Sequence, residues 1–515
     1  MNSSTHWDAI VIGSGLGGLS AAARFANSGK RVLVLERNAS FGGAATVYRH
    51  GALTMEASLH ETDGDTVFGP HSVFTQLGLN NDIEAIATDI FYEVRGGAIT
   101  TPIQLPVGLH NALTSLCRSL PGIKPALETY FRELKHLYQS IRDFENLELL
   151  NPTPLLGLLF SGRLFELIAD SQRTLSERFG TIFGESEVAK FALGAPISYF
   201  DDDPTKLSFL LFAGVWSRYV ESGSYYIRGG SRALSMALLD HVRTAGGESR
   251  ANSTVVEILL GPNDHAAGVR YYDLNGNQVE ALAPIVFAGI APSMIADMLP
   301  ESKTVEFAKT YANFEPSISL FNISLGLSRP ASAFGVTTYS TFIYPDNLKR
   351  FSEYPQAAAH FGQEPKGLMP PYVIADYGRL HSGLRQQGDL YSVSICGVDR
   401  LAWWAGLDEA TVKTRKQRWI DAIIADVNRH YPGFASAVVQ TEIATARTMK
   451  SQLGNPSGSV YGFRPTPPRL FGRLPSAATS IKGLWLGSAY TISGGYSGSM
   501  QGGLMAANSA LNSKG

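Results

Sequence analysis

The sequence predicts an α/β fold: a parallel sheet with helices on its faces, assembled from separated stretches of chain and carrying an inserted α+β region. Three observations predict it. The chain opens on an apolar run, Asp8-Ala9-Ile10-Val11-Ile12, then a glycine turn, Gly13-Ser14-Gly15-Leu16-Gly17-Gly18, and a second run, Val32-Leu33-Val34-Leu35-Glu36. Strand and helix patterns return together between 228 and 292. A last apolar strand, Gly483-Leu484-Trp485-Leu486-Gly487-Ser488-Ala489, leads into a glycine-rich helix start near the C-terminus.

The opening unit reads as strand, turn, alanine-rich helix and strand, the βαβ pattern that binds a dinucleotide. Gly13 permits the tight turn, Gly15 lets a pyrophosphate approach the backbone, and Gly18 lets the helix lie close to the strand. The N–H groups at that helix start carry partial positive charge and favour phosphate. Glu36 ends the second strand, where a carboxylate accepts ribose hydroxyls and repels a 2′-phosphate.

Gly42-Gly43 follows in the run Glu36-Arg37-Asn38-Ala39-Ser40-Phe41-Gly42-Gly43-Ala44-Ala45-Thr46. A second glycine pair after the second strand leaves room for an FAD laid out in one sweep. The far end supplies a partner block. Gly494-Gly495-Tyr496-Ser497-Gly498-Ser499-Met500-Gln501-Gly502-Gly503 opens a small-residue helix. Its N–H groups suit the pyrimidine edge of a flavin, where negative charge appears on reduction. The prediction is a Rossmann-type FAD-binding domain held between both ends of the chain.

Between these blocks the pattern changes. Residues 76–225 read as helical, with runs such as Phe131-Arg132-Glu133-Leu134-Lys135-His136-Leu137-Tyr138. Arg228-Gly229-Gly230-Ser231 then starts a helix that Gly246-Gly247 ends, Ser253 to Leu260 is a strand, Asn275-Gly276 a turn and Ile285 to Ala288 another strand. From 300 to 455, strands mix with an amphipathic helix over 409–428 in which Trp419, Ile420, Ile423, Ile424 and Val427 share a face. The expected division is an FAD-binding domain from 1–75, 226–300 and 456–515, with a substrate domain from 76–225 and 301–455. A chain of 515 residues is long enough for two such cores.

Composition narrows the class. A net charge of −2 provides no electrostatic attraction for nucleic acid. Two cysteines, Cys117 and Cys396, make neither a disulfide framework nor a CxxC, which fits a reducing compartment. No signal peptide, spanning helix or metal motif is read, so the expected location is cytoplasmic, with peripheral contact on a membrane as the open alternative.

With these pieces placed, the chain resembles the phytoene desaturase, carotenoid isomerase and retinol saturase family, within the amine-oxidase-like flavoproteins. The carriers are the N-terminal and C-terminal glycine blocks, Tyr226-Ile227-Arg228-Gly229-Gly230-Ser231-Arg232-Ala233-Leu234, Val286-Phe287-Ala288-Gly289-Ile290-Ala291-Pro292, and Gly458-Ser459-Val460-Tyr461-Gly462. The resemblance implies FAD contacts at Gly13, Gly15, Gly18, Glu36, Arg37, Gly43, Ala44, Val256 (through its backbone to the adenine), Gly487, Ser488, Ser497, Gly498, Ser499 and Met500. Where the family usually has Gly-Asp or Gly-Glu, this chain has Gly487-Ser488, a neutral substitute toward the ribityl chain. Family members act on long apolar polyenes taken from membranes. Pro154-Leu155-Leu156-Gly157-Leu158-Leu159-Phe160 with Leu164, Phe165, Leu167 and Ile168 is the corresponding candidate for membrane-docking helices near 153–170, or else for a pocket wall.

Catalytic candidates lie just past the first glycine pair. Carotene desaturases resemble Asp-x-Gly-Pro at this point, whereas this chain has Glu56-Ala57-Ser58-Leu59 and then His60-Glu61. His60 is placed to act as base or acid on a polyene, with Glu61 tuning it. Lys450, Arg464, Tyr225 and Tyr461 are further polar candidates, and Phe200, Tyr219 and Trp216 candidate tunnel walls. The leading expectation is an FAD-dependent desaturase or saturase of C–C and C=C bonds, using oxygen or a quinone as electron acceptor if it desaturates. A redox-neutral polyene or fatty-acid isomerase, an amine or amino-acid oxidase anchored by arginine, and a flavin-free lipid-chaperoning protein are the alternatives.

Overall fold

The computed structural model describes residues 6–57, 61–69, 71–88, 90–145, 170–467 and 476–513. The apolar runs form β1 (Ala9–Ile12), β2 (Val32–Leu35), β3 (Glu248–Arg250), β4 (Val286–Ala288) and β5 (Leu484–Leu486). They share one sheet in the spatial order β3-β2-β1-β4-β5, and every neighbouring pair is parallel. Ile10 stands between Leu33 on one side and Val286 on the other. This strand order is that of dinucleotide-binding sheets; it reverses beside β1 and opens a crevice at the strands' carboxyl ends.

Alternation along β1 sends Ala9 and Val11 to one face and Ile10 and Ile12 to the other. The first face is covered by α1 (Leu16–Ala26), α2 (Ser231–Thr244) and α3 (Gly495–Asn512), with Leu19, Phe25, Leu234, Leu238, Met500 and Leu504 in one core. The second face packs on an antiparallel sheet of Thr254–Leu260, Ala266–Tyr272 and Gln278–Leu282, and on the short helix Pro292–Met298. Covering this face largely with strands is a departure from the helices expected on both. The alternating runs around the Asn275-Gly276 turn bury one side only, which suits a meander.

Contact between α1 and α3 depends on missing side chains. A Cβ on Gly503 would stand 1.9 Å from the carbonyl oxygen of Gly17, and one on Gly17 would stand 2.5 Å from that of Gly487. The C-terminal helix is therefore laid backbone to backbone on the N-terminal one.

A second, seven-stranded sheet carries the rest of the chain. Its order is Val438–Ala444, Ser319–Leu327, Tyr391–Asp399, Tyr372–Asp376, Ser340–Tyr344, Ile90–Gly96 and Ile99–Pro106. Strands from before and after the central nucleotide-fold segment thus share one sheet, joined by the parallel pairing of Thr341 to Tyr344 with Glu93 to Gly96. Helices Leu109–Ser119, Lys124–Glu145, Leu175–Phe183 and Phe209–Ser222 cover one face, and Glu409–His430 covers the other through Trp419, Ile420, Ile423 and Val427.

Candidate functional site

A groove of about 330 Å³ runs along the carboxyl end of the parallel sheet. Its walls are Gly13 to Gly17, Glu36 to Asn38, Gly42 to Ala45, Ser253 to Val255, Gly289 to Ala291, Ser488 to Tyr490, and Gly495 and Ser499 of α3. Gly13 has φ +85° and Gly43 φ +59°, a region that only glycine enters freely. A Cβ on Gly43 would lie 3.0 Å from the Cα of Gly15, so the two glycine loops touch across the floor. No side chain caps α1, whose first N–H groups are left to a ligand. The Glu36 carboxylate is buried; it accepts from the Ser14 N–H at 2.9 Å, the Ser14 hydroxyl at 2.6 Å and the Asn38 N–H at 2.8 Å. The Ser14 hydroxyl in turn accepts from the Gly42 N–H at 3.0 Å. One acid thus knits both glycine loops, and the cradle fits an extended dinucleotide.

A cavity of about 1050 Å³ meets this groove, with Tyr461 and Gly495 in the walls of both. Its aromatic wall includes Phe91, Tyr199, Phe200, Trp216, Tyr219 and Phe463. Phe91 and Tyr219 stack with ring centres 5.6 Å apart and planes 10° from parallel. Glu61 enters from the same side as the strand Thr62–Asp63 that pairs with Ser224–Ile227. Its carboxylate accepts from the Ser224 hydroxyl, and its backbone carbonyl from the Tyr219 hydroxyl at 3.1 Å. Burial pushes the Glu61 carboxyl up to about 7, with the Ser224 hydroxyl pulling the other way. A carboxyl so poised, facing a cavity, exchanges a proton near neutrality in either direction.

Both cavity-lining arginines are paired with carboxylates. Arg218 donates to Asp63 through Nε at 3.2 Å and Nη2 at 3.1 Å. Arg464, with its side chain 8% exposed, grips Asp201 through Nε and Nη2, both at 2.6 Å, and reaches Asp202 at 3.2 Å. Asp202 is also held by Arg400. Arg464 is a fastener for the inserted region, which weakens it as an anchor for a substrate carboxylate.

Residues 8–88 match the FAD binding domain family. An all-trans-retinol 13,14-reductase of Danio rerio is 24% identical over 98% of this chain and 86% of its own. A chloroplastic prolycopene isomerase of Daucus carota is 24% identical over 94% and 76%. A solved oxidoreductase from Methanosarcina mazei shares the fold, with a TM-score of 0.62 at 15% identity over 98% of this chain and 99% of that one.

The chain is an FAD-dependent oxidoreductase homologous to the retinol reductases and prolycopene isomerases.

Within this flavoprotein, Gly13, Gly15, Glu36, Arg37, Gly43, Ala44, Ser488 and Ser499 wall the groove. Arg37 does so with its guanidinium tied at 2.9 Å to the carbonyls of Ser451 and Gln452. Gly18 and Gly487 lie behind the groove as packing glycines. A Cβ on Gly18 would sit 2.4 Å from the Gly13 oxygen, and Gly487 faces Ala21, Ala506 and Gly503. Met500 points into the helical core, and Ser497 and Gly498 line the cavity. Val256 is 39% exposed; its neighbour Val255 reaches the groove, because strand alternation turns the two side chains apart.

His60 and the apolar segment 154–168 lie outside the described residues. Lys450 is exposed and in neither wall, and Tyr225 packs edge-on against Phe68 at 4.9 Å. Among the described residues no helix is long and apolar enough to cross a membrane, and no cluster is suited to a metal. Sequence reasoning passed over Phe91, Asp63, Arg218 and Ser224. Asp63 stood two positions from the pair that was singled out, whereas the other three carry no local signal.

Proposed function

We propose that this flavoprotein acts on the carbon–carbon bonds of a lipophilic polyene, desaturating or saturating it. The observation that carries the reading is the aromatic cavity opening onto the FAD groove at Tyr461 and Gly495, with Glu61 in its wall. The names of the full-length relatives, a retinol reductase and a prolycopene isomerase, support the substrate class.

Gly13, Gly15, Glu36, Gly43 and Ser488 would hold FAD, which when bound exchanges a hydride with a substrate carbon. The cavity walls exclude water and align the polyene, burying its length against Phe91, Tyr199 and Trp216. Glu61 moves the accompanying proton. In saturation, a two-electron donor such as a reduced nicotinamide would supply the hydride equivalent, and the alkene carbon beside the one that receives it takes a proton from the Glu61 carboxyl. In desaturation, the Glu61 carboxylate removes that proton as the second C–H bond breaks, and oxygen or a quinone accepts the two electrons. His60, beside it in sequence, remains a candidate partner in this transfer. Such a substrate partitions into lipid, so peripheral contact with a membrane surface belongs to the proposal, and co-sedimentation with liposomes tests it.

A second reading, redox-neutral isomerisation, is favoured by the prolycopene isomerase relatives and by a carboxyl that both gives and takes a proton near neutral pH. Anaerobic incubation of the yellow holoenzyme with retinoid alcohols, carotenes and amines separates the readings. Bleaching of the flavin by a polyene, or reoxidation of the reduced enzyme by one, supports oxidoreduction. A changed product without bleaching supports isomerisation, and bleaching by amines alone refutes the polyene reading.

A further inference from the structure

Asp63 stands where the two ends of the chain meet. It closes the strand Thr62–Asp63, is 2% exposed, and caps the following turn by accepting from the Thr66 N–H at 3.0 Å. Oδ2 accepts from the Ser497 hydroxyl at 2.7 Å and the Thr66 hydroxyl at 2.8 Å. Oδ1 faces the Arg218 guanidinium. The Thr66 and Ser497 hydroxyls are themselves 2.7 Å apart.

Ser497 belongs to the first turn of α3, two residues after Gly495, the residue shared by groove and cavity. The strap that carries Asp63 has no slack, because a Cβ on Gly64 would stand 2.1 Å from the Ser222 carbonyl oxygen. Burial raises the Asp63 carboxyl, yet Arg218, Ser497 and Thr66 together outweigh it and hold the group below its ordinary range. A permanent negative charge and its cation are therefore pinned to the helix end that the sequence assigns to the flavin. Asp65, bonded to Arg142 and also facing Arg218, completes the charged wall.

We propose that Asp63 and Arg218 are a positioning pair that fixes the first turn of α3 against the flavin and, through opposite charges, sets the balance between oxidised and reduced cofactor. This deepens the FAD reading and is independent of the substrate's identity. The α3 terminus and Arg218 favour electron-rich reduced flavin, and Asp63 opposes them. In this low-dielectric wall a single charge acts over several bond lengths.

The test is the midpoint potential of the holoenzyme, titrated anaerobically at about pH 8 so that the carboxylate stays charged. Asp63→Asn, which keeps the cap, shifts the potential upward; Arg218→Gln shifts it downward. Ser497→Ala keeps the ion pair and cuts only its tie to α3. It weakens FAD retention about tenfold, the loss of one charge-assisted hydrogen bond, and alters the fine structure of the flavin's visible band. Shifts of the same sign in both charge variants, or no shift in either, overturn the electrostatic role. Unchanged retention and spectrum in Ser497→Ala overturn the positioning role. If Asp63→Asn yields no folded holoenzyme, because the half-buried Arg218 guanidinium is left with fewer carboxylates to balance it, Arg218→Gln and Ser497→Ala carry the test. Yellow enzyme that responds to no polyene refutes the substrate proposal while leaving these potentials as the measure of this one.

Discussion

The FAD groove is walled by backbone, and the cavity that joins it at Gly495 is walled by side chains. In the groove, Gly13, Gly43 and Gly289 stand where a Cβ would intrude, and the Glu36 side chain in the same wall spends its oxygens tying loops together. In the cavity, Phe91, Trp216 and Tyr219 supply shape, while Glu61 and the Asp63–Arg218 pair supply charge. Recognition by backbone demands small residues at fixed spacing, whereas recognition by side chains demands only that the fold bring suitable residues together. Substitutions in the two regions should accordingly fail in different ways.

The largest expected effect lies on the cavity side. Glu61→Gln keeps shape and the contact with Ser224 but removes the proton, and turnover is expected to fall about 10³-fold, within the usual range for loss of an acid–base group. FAD content should stay at the parental level. A variant that instead loses its flavin would place Glu61 among the groove's supports and erase the distinction.

On the groove side, Gly503→Ala should damage binding and stability together. The added methyl has no room beside the Gly17 carbonyl, so α1 and α3 must part. A loss of about 3 kcal/mol in unfolding free energy is expected, with flavin released at lower denaturant than in the parent. Chemical denaturation followed by flavin fluorescence measures both at once.

A pH series sharpens the contrast further. Glu61 carries its proton up to about 7 in the fold and only to the ordinary carboxyl range when unfolded. The folded state therefore holds more protons in between. The stability owed to this group is complete below the ordinary carboxyl range and is lost as pH rises through its folded value. Glu61→Gln should flatten that slope between the ordinary carboxyl range and about 7; melting temperatures across the range show it, and an undiminished slope assigns it to the other buried carboxyls, Glu56, which burial also raises to about 7, and Asp376 and Asp399, raised to about 6.

The smallest effect is a gain. Ser488 lies in the groove wall, its hydroxyl accepting from the Tyr490 N–H at 3.3 Å. Ser488→Asp would place there the acid that the family resemblance leads one to expect, and FAD should be retained about fivefold better, the increment from a neutral to a charge-assisted hydrogen bond. Weaker retention would mean that this groove is shaped for a neutral residue.

Legibility followed the same division. Gly13, Gly15, Glu36 and Gly43 could be read because each has a local spacing, and Ser488 only through the family resemblance; all five wall the groove. Val256 was read for a contact through its backbone, which the outward turn of its side chain leaves open; that the Val255 side chain is the one in the groove wall depends on how the strand docks. Arg464 looked like an anchor as a sequence position and is already gripped by Asp201 and Asp202, residues 263 and 262 positions away. Glu61 was visible as an acid, but its near-neutral carboxyl arises from burial beside Ser224, which lies 163 positions along the chain.

By itself the sequence determined the cofactor class and the parallel-sheet frame, because a turn, a helix start and a strand are local objects whose sterics are written in consecutive residues. Only the tertiary structure decided what faces the cofactor. Proximity between Glu61 and Ser224, between Asp63 and Ser497, and between Phe91 and Tyr219 comes from strand pairing and helix packing across the whole chain. Burial, which raises one of those acids while its neighbours hold the other down, exists only once the fold has closed around them.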